Sequence, residues 1–150
     1  MLLRVFIATV LFGLALVQPS NAAFRIEDDM GGLLGDYIQK FSAIRKSGER
    51  VIIDGRCYSA CTLVTGIVPR RKICVTARAT LGFHAAHSSY GLGNSGGDYA
   101  ATRALYNLYP GYIKAWLNQH GGLRTNTIIL GGRDLLQIYS ACPQNADSRF

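Results

Sequence analysis

The sequence predicts an α/β domain with a short, mostly parallel sheet and paired helices. Segments typical of strands and helices alternate along the chain, which is the order found in right-handed parallel α/β units. Residues 51–53 form a continuous apolar run, typical of a strand that is buried on both faces. Two later helical stretches are separated by Pro110-Gly111, which predicts the paired helices.

The first third of the chain predicts a strand, a helix and a second strand. Residues 24–26 suit a short strand that ends before the glycine pair Gly31-Gly32. A helix is then predicted up to Ser47-Gly48, because apolar residues recur at helical spacing. These residues are Leu33, Leu34, Tyr37, Ile38, Phe41 and Ile44. The strand at 51–53 runs directly into the stretch GRCYSAC, residues 55–61.

The middle of the chain predicts short elements and one long loop. Small residues at 59–66 predict a short helix, and strands are expected at 72–75 and 79–83. The second of these strands ends at His84. Residues 87–98 form a loop that is too rich in glycine and serine to pack in a core, and loops of this length are usually functional or mobile. We therefore expect its glycine-rich segment, residues 90–97, to form part of a substrate cleft or its lid.

The last third predicts helices at 98–108, at 112–119 and at about 133–140. Buried positions are expected at Tyr99, Leu105, Leu108, Ile113 and Trp116. Beyond about residue 143 the chain is polar, and we expect a loosely held tail.

The N-terminal residues predict export. Arg4 is followed by an apolar run at 5–17 and a polar segment in which Ser20 and Ala22 give the small-x-small cleavage pattern. The run is shorter than the roughly 20 apolar residues that a membrane span needs. We therefore expect residues 1–22 to be a signal peptide. Residues 23–150 would form one periplasmic or secreted domain with no membrane attachment after cleavage.

The charge of the chain is basic, but it carries no nucleic-acid signature. The formal net charge is +7, and it falls to +6 when Arg4, the only charged residue of the predicted signal, is removed. The remaining basic residues are scattered and are not interleaved with aromatic side chains. A solvated basic surface is the expectation, and nucleic acid is not expected as a partner.

The four cysteines predict disulfide bonds. Cys57, Cys61, Cys74 and Cys142 all follow the predicted signal, and an even count in an exported chain favours two disulfides over free thiols. Four cysteines allow three connectivities, and the sequence does not choose between them.

Ser59 and His84 are the residues best suited to chemistry. Ser59 follows a buried strand and opens a helix, so free N–H groups near its hydroxyl would suit an oxyanion formed in acyl transfer. A serine needs a base within reach, and His84 ends an apolar strand where a core residue is expected. Ser59 also fits an ordinary helix N-cap, and His84 fits a histidine satisfied at a strand end.

The combination of these motifs resembles a known family. Gly31-Gly32 after a short strand, GRCYSAC at 55–61 and ATLGFH at 79–84 are similar to the core of the Clp protease proteolytic subunit. That subunit belongs to the ClpP/crotonase-like fold. The gap between Ser59 and His84, 84 − 59 = 25 residues, matches the family's spacing. More closely, the chain resembles small, uncharacterised exported bacterial proteins with a CxSAC and GFH core. The resemblance covers about residues 26–121.

The resemblance implies an acyl-transfer site that needs no cofactor. Ser59 would be the nucleophile and His84 the general base that takes its proton and returns it to the leaving group. The N–H groups of Gly32 and Ala60 would hold the oxyanion. The implied substrate is a peptide or an ester.

The third member of a Ser-His-acid triad is not clear from the sequence. Asp134 lies close to the family's aspartate when the chain is counted forward from Gly121. It also fits the first turn of a helix, where a carboxylate favours the dipole without a catalytic role. Asn126 and Asp98 are weaker candidates, and a Ser-His dyad is a further alternative.

The chain also departs from the protease subunits. It is shorter and lacks their first strands, so one sheet edge must be covered, shortened or exposed, and the family habit implies a homo-oligomer. An exported protein has no ATP supply, which argues against processive degradation. Cys57 and Cys61 flank the serine but are foreign to the protease motif, and we expect them to tether its turn.

Two functions therefore compete, a peptidase-like serine hydrolase and a non-catalytic binding or scaffolding module that keeps the fold. A zinc site built from Cys57, Cys61, His84 and His87 is a weaker alternative, because the spacing fits no common zinc pattern and an oxidising compartment favours disulfides. No metal is expected. A thiol oxidoreductase is also disfavoured, since Cys-x-x-x-Cys is not the Cys-x-x-Cys redox motif.

Overall fold

The computed structural model describes residues 23–87 and 98–143. These two ranges contain one mostly parallel sheet with helices around it, so the predicted α/β class is confirmed. The predicted signal peptide, the glycine-rich loop at 90–97 and the C-terminal tail beyond residue 143 lie outside the described residues.

The sheet is built around its second strand. In the described ranges the strands are β1 Ala23–Asp29, β2 Arg50–Tyr58, β3 Ile73–Val75, β4 Thr80–Phe83, β5 Ile128–Gly131 and β6 Ser140–Ala141. Their pairing order is β5-β4-β2-β3-β6, with β4 and β3 on different parts of β2, and β1 also pairs with β2, outside this order. Every pairing is parallel except that of β4 with β5.

Helices of different lengths connect these strands. The α-helices are α1 Leu34–Ser47, α2 Val64–Ile67, α3 Tyr99–Leu108, α4 Gly111–Gln119 and α5 Gly132–Ile138. Two 3-10 segments, Ser59–Leu63 and Arg70–Lys72, precede α2 and β3. Helix α1 ends where the sequence predicts, because Gly48 takes the left-handed conformation that favours glycine (φ 76°) and donates its N–H to Ile44.

The register of β2 brings three strand ends together. Asp29 at the end of β1 pairs with Cys57, and Tyr58 at the end of β2 pairs with Gly82 in β4. Since parallel strands end at the same edge of a sheet, the chain leaves β1, β2 and β4 close to one another. The segments that follow these ends carry the glycine pair, Ser59 and His84, which explains why residues far apart in sequence become neighbours.

The core lies between the sheet and the helices, and it corrects two predictions. Leu105, Ile113 and Trp116 are buried as expected, whereas Tyr99 is 79% exposed and Leu108 is 39% exposed. At about 100° per residue, Tyr99 lies on the side of α3 that faces away from Leu105. Leu108 lies at the edge of the same apolar stripe, at the last residue of the helix.

Two strands of the sheet are absent from the sequence prediction. β5 pairs antiparallel with β4, and the two-residue β6 pairs with β3 beside a disulfide between Cys74 and Cys142. Both strands are short, and their pairing partners come from distant parts of the chain. No helix in the described ranges is long and apolar enough to cross a membrane.

Candidate active site

Ser59 has an unusual backbone. Its φ is +56°, and it is the only residue other than glycine in the described ranges with a positive φ. Tyr58 before it is extended, so the chain turns sharply from β2 into the 3-10 segment at Ser59. A non-glycine residue in this conformation costs about 1–3 kcal/mol and persists only where the surrounding structure holds it. Strain of this kind concentrates at functional sites.

A disulfide and a hydrogen bond hold the serine turn. Cys57 in β2 is bonded to Cys61 in the 3-10 segment, and both residues are fully buried. The Thr62 hydroxyl donates to the Ser59 carbonyl at 2.6 Å. The prediction of two disulfides is confirmed, with the connectivity Cys57–Cys61 and Cys74–Cys142 and no free cysteine in the described ranges.

The glycine pair packs directly on this turn. Gly31 has φ +86°, and a Cβ atom added there would lie 2.6 Å from Ser59 Cβ, 2.7 Å from the Tyr58 carbonyl oxygen and 2.8 Å from the Ala60 nitrogen. These distances are shorter than real Cβ atoms tolerate, so only glycine fits against the serine. The close approach places the backbone of Gly31 against the Ser59 Cβ and the Ala60 nitrogen, and Gly32 is the next residue along the chain.

Asp29 anchors the glycine turn. Its Oδ1 accepts the Gly31 N–H at 2.9 Å and also the Tyr37 hydroxyl, and its Oδ2 accepts from Lys40 Nζ at 3.1 Å. Burial raises the pKa of Asp29, but the hydrogen bonds from Tyr37, Gly31 and Lys40 outweigh burial and hold that pKa below its usual value. Burial and the neighbouring carboxylate raise the pKa of Tyr37, which therefore remains a donor.

Within the described residues, the N–H groups expected to hold an oxyanion donate to no other group. In residues 23–87 and 98–143, no hydrogen bond of a turn, a cap or a side chain uses the N–H of Gly32 or of Ala60. The Ser59 hydroxyl likewise makes no hydrogen bond in these ranges, and the segment it opens has no side-chain cap. Ser59 is therefore not acting as an N-cap.

His84 leaves β4 with a fixed ring orientation. Its Nδ1 lies 2.6 Å from the carbonyl oxygen of Ala85. Because a carbonyl only accepts, this contact requires the proton on Nδ1, and in the neutral ring the lone pair is then on Nε2. The ring of His87 lies beside it, with centroids 5.5 Å apart. His84 can therefore act as a base through Nε2.

One cavity of about 520 Å³ brings these groups together. Its polar side chains come from Ser59, His84, His87 and Asp98. Gly31-Gly32 contributes backbone, and the apolar walls include Met30, Leu33, Leu34 and Leu105. Ser59 and His84 line the cavity without a direct hydrogen bond between them. The arrangement offers a serine, a histidine and backbone donors around one space large enough for a peptide side chain or an acyl group.

The carboxylate candidates occupy different places. Asp134 is exposed in the first turn of α5 and is not among the residues that line the cavity. Asn126 is exposed before β5. Asp98 does line the cavity, although its Oδ1 already accepts the Ala101 N–H at 2.9 Å as the N-cap of α3. The cavity thus contains Asp98 and not Asp134.

The sequence analysis missed the groups that hold the glycine turn and the His84 ring in place. Asp29 and the Ala85 carbonyl were not singled out, although Asp29 carries a readable signal. An aspartate two residues before a glycine is typical of an Asx turn, in which the side chain accepts the N–H two positions on. The Ala85 carbonyl has no such signal, because any residue could supply it.

The zinc site predicted as an alternative, with Cys57 and Cys61 among its ligands, is not present. Cys57 and Cys61 are joined in a disulfide, so neither is available as a thiolate ligand. Among the described residues, no group of three or more His, Cys, Asp or Glu side chains could hold a metal ion.

Comparisons with known proteins leave the family unassigned. No family description and no curated protein matches the chain. Among solved structures, the chain is similar to the crystal structure of a peptidase from Plasmodium falciparum, with 8% identity and a TM-score of 0.45. The similarity covers 77% of this chain and 73% of that one. A likeness at this level decides neither the family nor the activity.

Proposed function

We propose that the chain is an exported serine hydrolase with peptidase-like chemistry, built on a reduced ClpP/crotonase-like domain. The observation that carries the proposal is the left-handed backbone of Ser59, packed against Gly31 and sharing a cavity with His84. A non-glycine residue at φ +56° is costly to hold. A sharp strand-to-helix turn of this kind presents the serine hydroxyl to the substrate, as in the nucleophile elbow of other hydrolases, and this role would explain why the strained backbone is kept.

The proposed reaction follows the usual acyl-transfer sequence. Ser59 Oγ attacks the carbonyl carbon of a peptide or ester while His84 Nε2 takes the hydroxyl proton. The N–H groups of Gly32 and Ala60 stabilise the oxyanion. The tetrahedral intermediate then collapses to an acyl-enzyme as His84 returns the proton to the leaving amine or alcohol. Water, deprotonated by His84, releases the acid by the same steps in reverse.

Two features support the export part of the proposal. Disulfides persist in oxidising compartments such as the bacterial periplasm, and both disulfides here tie together parts of the sheet and its connections. The N-terminal pattern of a basic residue, an apolar run and small residues at the cleavage site points the same way. The assignment of Asp134 as the acid that orients His84 stays a prediction, as does a homo-oligomer.

A non-catalytic binding module is the second candidate. It is favoured by the missing hydrogen bond between Ser59 and His84 and by the apolar walls of the cavity, which suit a bound side chain. Catalytic hydrogen bonds are often long in unliganded enzymes and tighten when substrate binds. For this reason we rank the hydrolase first.

Turnover of activated esters and fluorogenic peptides by the mature protein tests the hydrolase. We expect hydrolysis above the buffer rate, with kcat lowered about 10³-fold or more in Ser59→Ala because the covalent step is lost. Ser42→Ala is the matched control, since Ser42 is an exposed serine in α1, and it should keep full activity. Equal rates for wild type and Ser59→Ala would leave the binding module as the better explanation.

A further inference from the structure

We infer that Asp29 is a positioning residue, whose carboxylate sets the backbone of Gly31-Gly32 so that the Gly32 N–H is left to stabilise the oxyanion. The inference rests on the proposed function and names a residue that holds the site without touching the substrate. It starts from the place of Asp29 in the fold, as the last residue of β1 paired with Cys57 two positions before Ser59. The end of β1 therefore lies beside the end of β2, next to the serine turn.

The contacts of Asp29 are divided between the turn and the helix that follows it. Oδ1 accepts the Gly31 N–H at 2.9 Å, and Tyr37 and Lys40 from α1 reach back to the same carboxylate. Tyr37 and Lys40 are three residues apart, so both side chains lie on one face of the helix. The carboxylate therefore ties β1, the glycine turn and α1 into one unit.

This arrangement decides which glycine is available as a donor. The Gly31 N–H is used by Asp29, while the Gly32 N–H donates to none of the side chains or turns in the described ranges. Gly31 can accept this geometry because its φ of +86° is open to glycine, and because the space that a Cβ would need is taken by Ser59 and Ala60. A shift of the turn by a fraction of an ångström would move the Gly32 donor relative to the Ala60 donor.

The ionised state of Asp29 makes the anchor strong. A carboxylate that accepts from a backbone N–H, a phenol and an ammonium forms charge-assisted hydrogen bonds, which are about twice as strong as neutral ones. Lys40 is itself held in place, because its Nζ lies 4.9 Å from the ring centre of Tyr37 and 5.2 Å from that of Phe24. The side chains around the carboxylate are thus mutually fixed.

Four variants of the mature protein test this role by kinetics. Asp29→Ala should lower kcat for an activated ester about 100-fold, the loss typical of one misplaced oxyanion donor, with KM changed less than about threefold. Asp29→Asn should recover most of kcat, because the amide oxygen still accepts the Gly31 N–H. Tyr37→Phe should fall between them. Asp28→Ala is the matched control, since Asp28 is on the same strand but pairs with Arg56 at the surface.

A readout that does not depend on turnover separates this inference from the proposed function. The amide proton of Gly31, hydrogen-bonded to a carboxylate, should move upfield by NMR in Asp29→Ala and stay in place in Asp28→Ala. An unmoved Gly31 signal, or equal kcat in Asp29→Ala and Asp28→Ala, would overturn the inference while leaving an active Ser59. If wild type and Ser59→Ala are equally inactive, the hydrolase proposal fails, and the catalytic role of Asp29 is overturned with it.

Discussion

Gly31→Ala is expected to lower kcat at least about 100-fold and to destabilise the protein by about 2–5 kcal/mol. The added Cβ would overlap Ser59 Cβ, the Tyr58 carbonyl and the Ala60 nitrogen, so either the glycine turn or the serine turn must move. Misplacing catalytic groups by about 1 Å costs about 100-fold in rate. The positive φ contributes about 1–2 kcal/mol to the loss of stability, and the overpacking contributes about 1–3 kcal/mol.

Gly35→Ala provides the control for this experiment. Gly35 is in the first turn of α1, and no atom lies within 4 Å of a Cβ added there. Alanine is the better helix former by about 1 kcal/mol, so this variant should be as stable as wild type or slightly more stable, with unchanged kcat. Urea unfolding and ester hydrolysis measure the two effects. Wild-type kcat in Gly31→Ala would mean that the glycine turn does not shape the site.

Asp54→Ala is expected to cost about 3 kcal/mol of unfolding free energy. Asp54 is only 4% exposed, in the middle of β2. Its carboxylate accepts from Arg25, from Thr76 Oγ1 at 2.6 Å and from Arg78 Nη2 at 2.5 Å. Removing one member of a buried, charged hydrogen-bond network usually costs about 3–5 kcal/mol, and the exposure of Arg78 places this case at the low end.

The pH dependence of stability reports the same network. Hydrogen bonds from Arg78, ahead of the opposing effect of burial, and then from Thr76 and Arg25 lower the pKa of Asp54 from 3.8 to about 2. Because the folded-state pKa is depressed, the stabilisation is complete above about pH 4 and is lost as the pH falls toward 2. Over that range it amounts to about 2 kcal/mol.

Asp54→Asn isolates this contribution from the rest of the acid unfolding. The asparagine keeps the shape of the side chain but does not titrate, so the stability difference from wild type should be constant at pH 4–7 and shrink between pH 4 and 2. Urea unfolding at a series of pH values measures that difference. A difference that stays the same down to pH 2 would show that folding does not lower the pKa of Asp54, and would contradict the stabilisation assigned to this network.

Local patterns were sufficient to predict most of the fold. The apolar run of β2 and the helical spacing of α1 are signals contained in neighbouring residues, and both elements are present. β6 is only two residues long and depends on pairing with β3 near the Cys74–Cys142 disulfide. Such pairing depends on distant residues, so β6 could not be predicted from its local sequence. The burial of Asp54 was missed for the same reason, since Arg25 and Arg78 lie more than twenty residues away on either side.

The site was predictable to the extent that its residues follow strand ends. Ser59 and His84 come directly after a strand, and Gly31-Gly32 follows β1 after one intervening residue. Parallel strands bring such positions together, in agreement with the cavity that these residues share. The backbone conformation of Ser59 could not be predicted, because contacts with Gly31 and the Cys57–Cys61 bond impose it. The orientation of His84 by a main-chain carbonyl leaves no trace in the sequence.

The role of Ser59 as a nucleophile can be tested by treating the native protein with a fluorophosphonate and locating the adduct by peptide mass spectrometry. We expect one phosphonyl group on Ser59, absent in Ser59→Ala and in protein unfolded before treatment, because only the folded site activates the hydroxyl. Circular dichroism would verify that each native sample is folded. Folded wild-type protein that remains unmodified, or that carries its adduct on another serine, would contradict the assignment of Ser59.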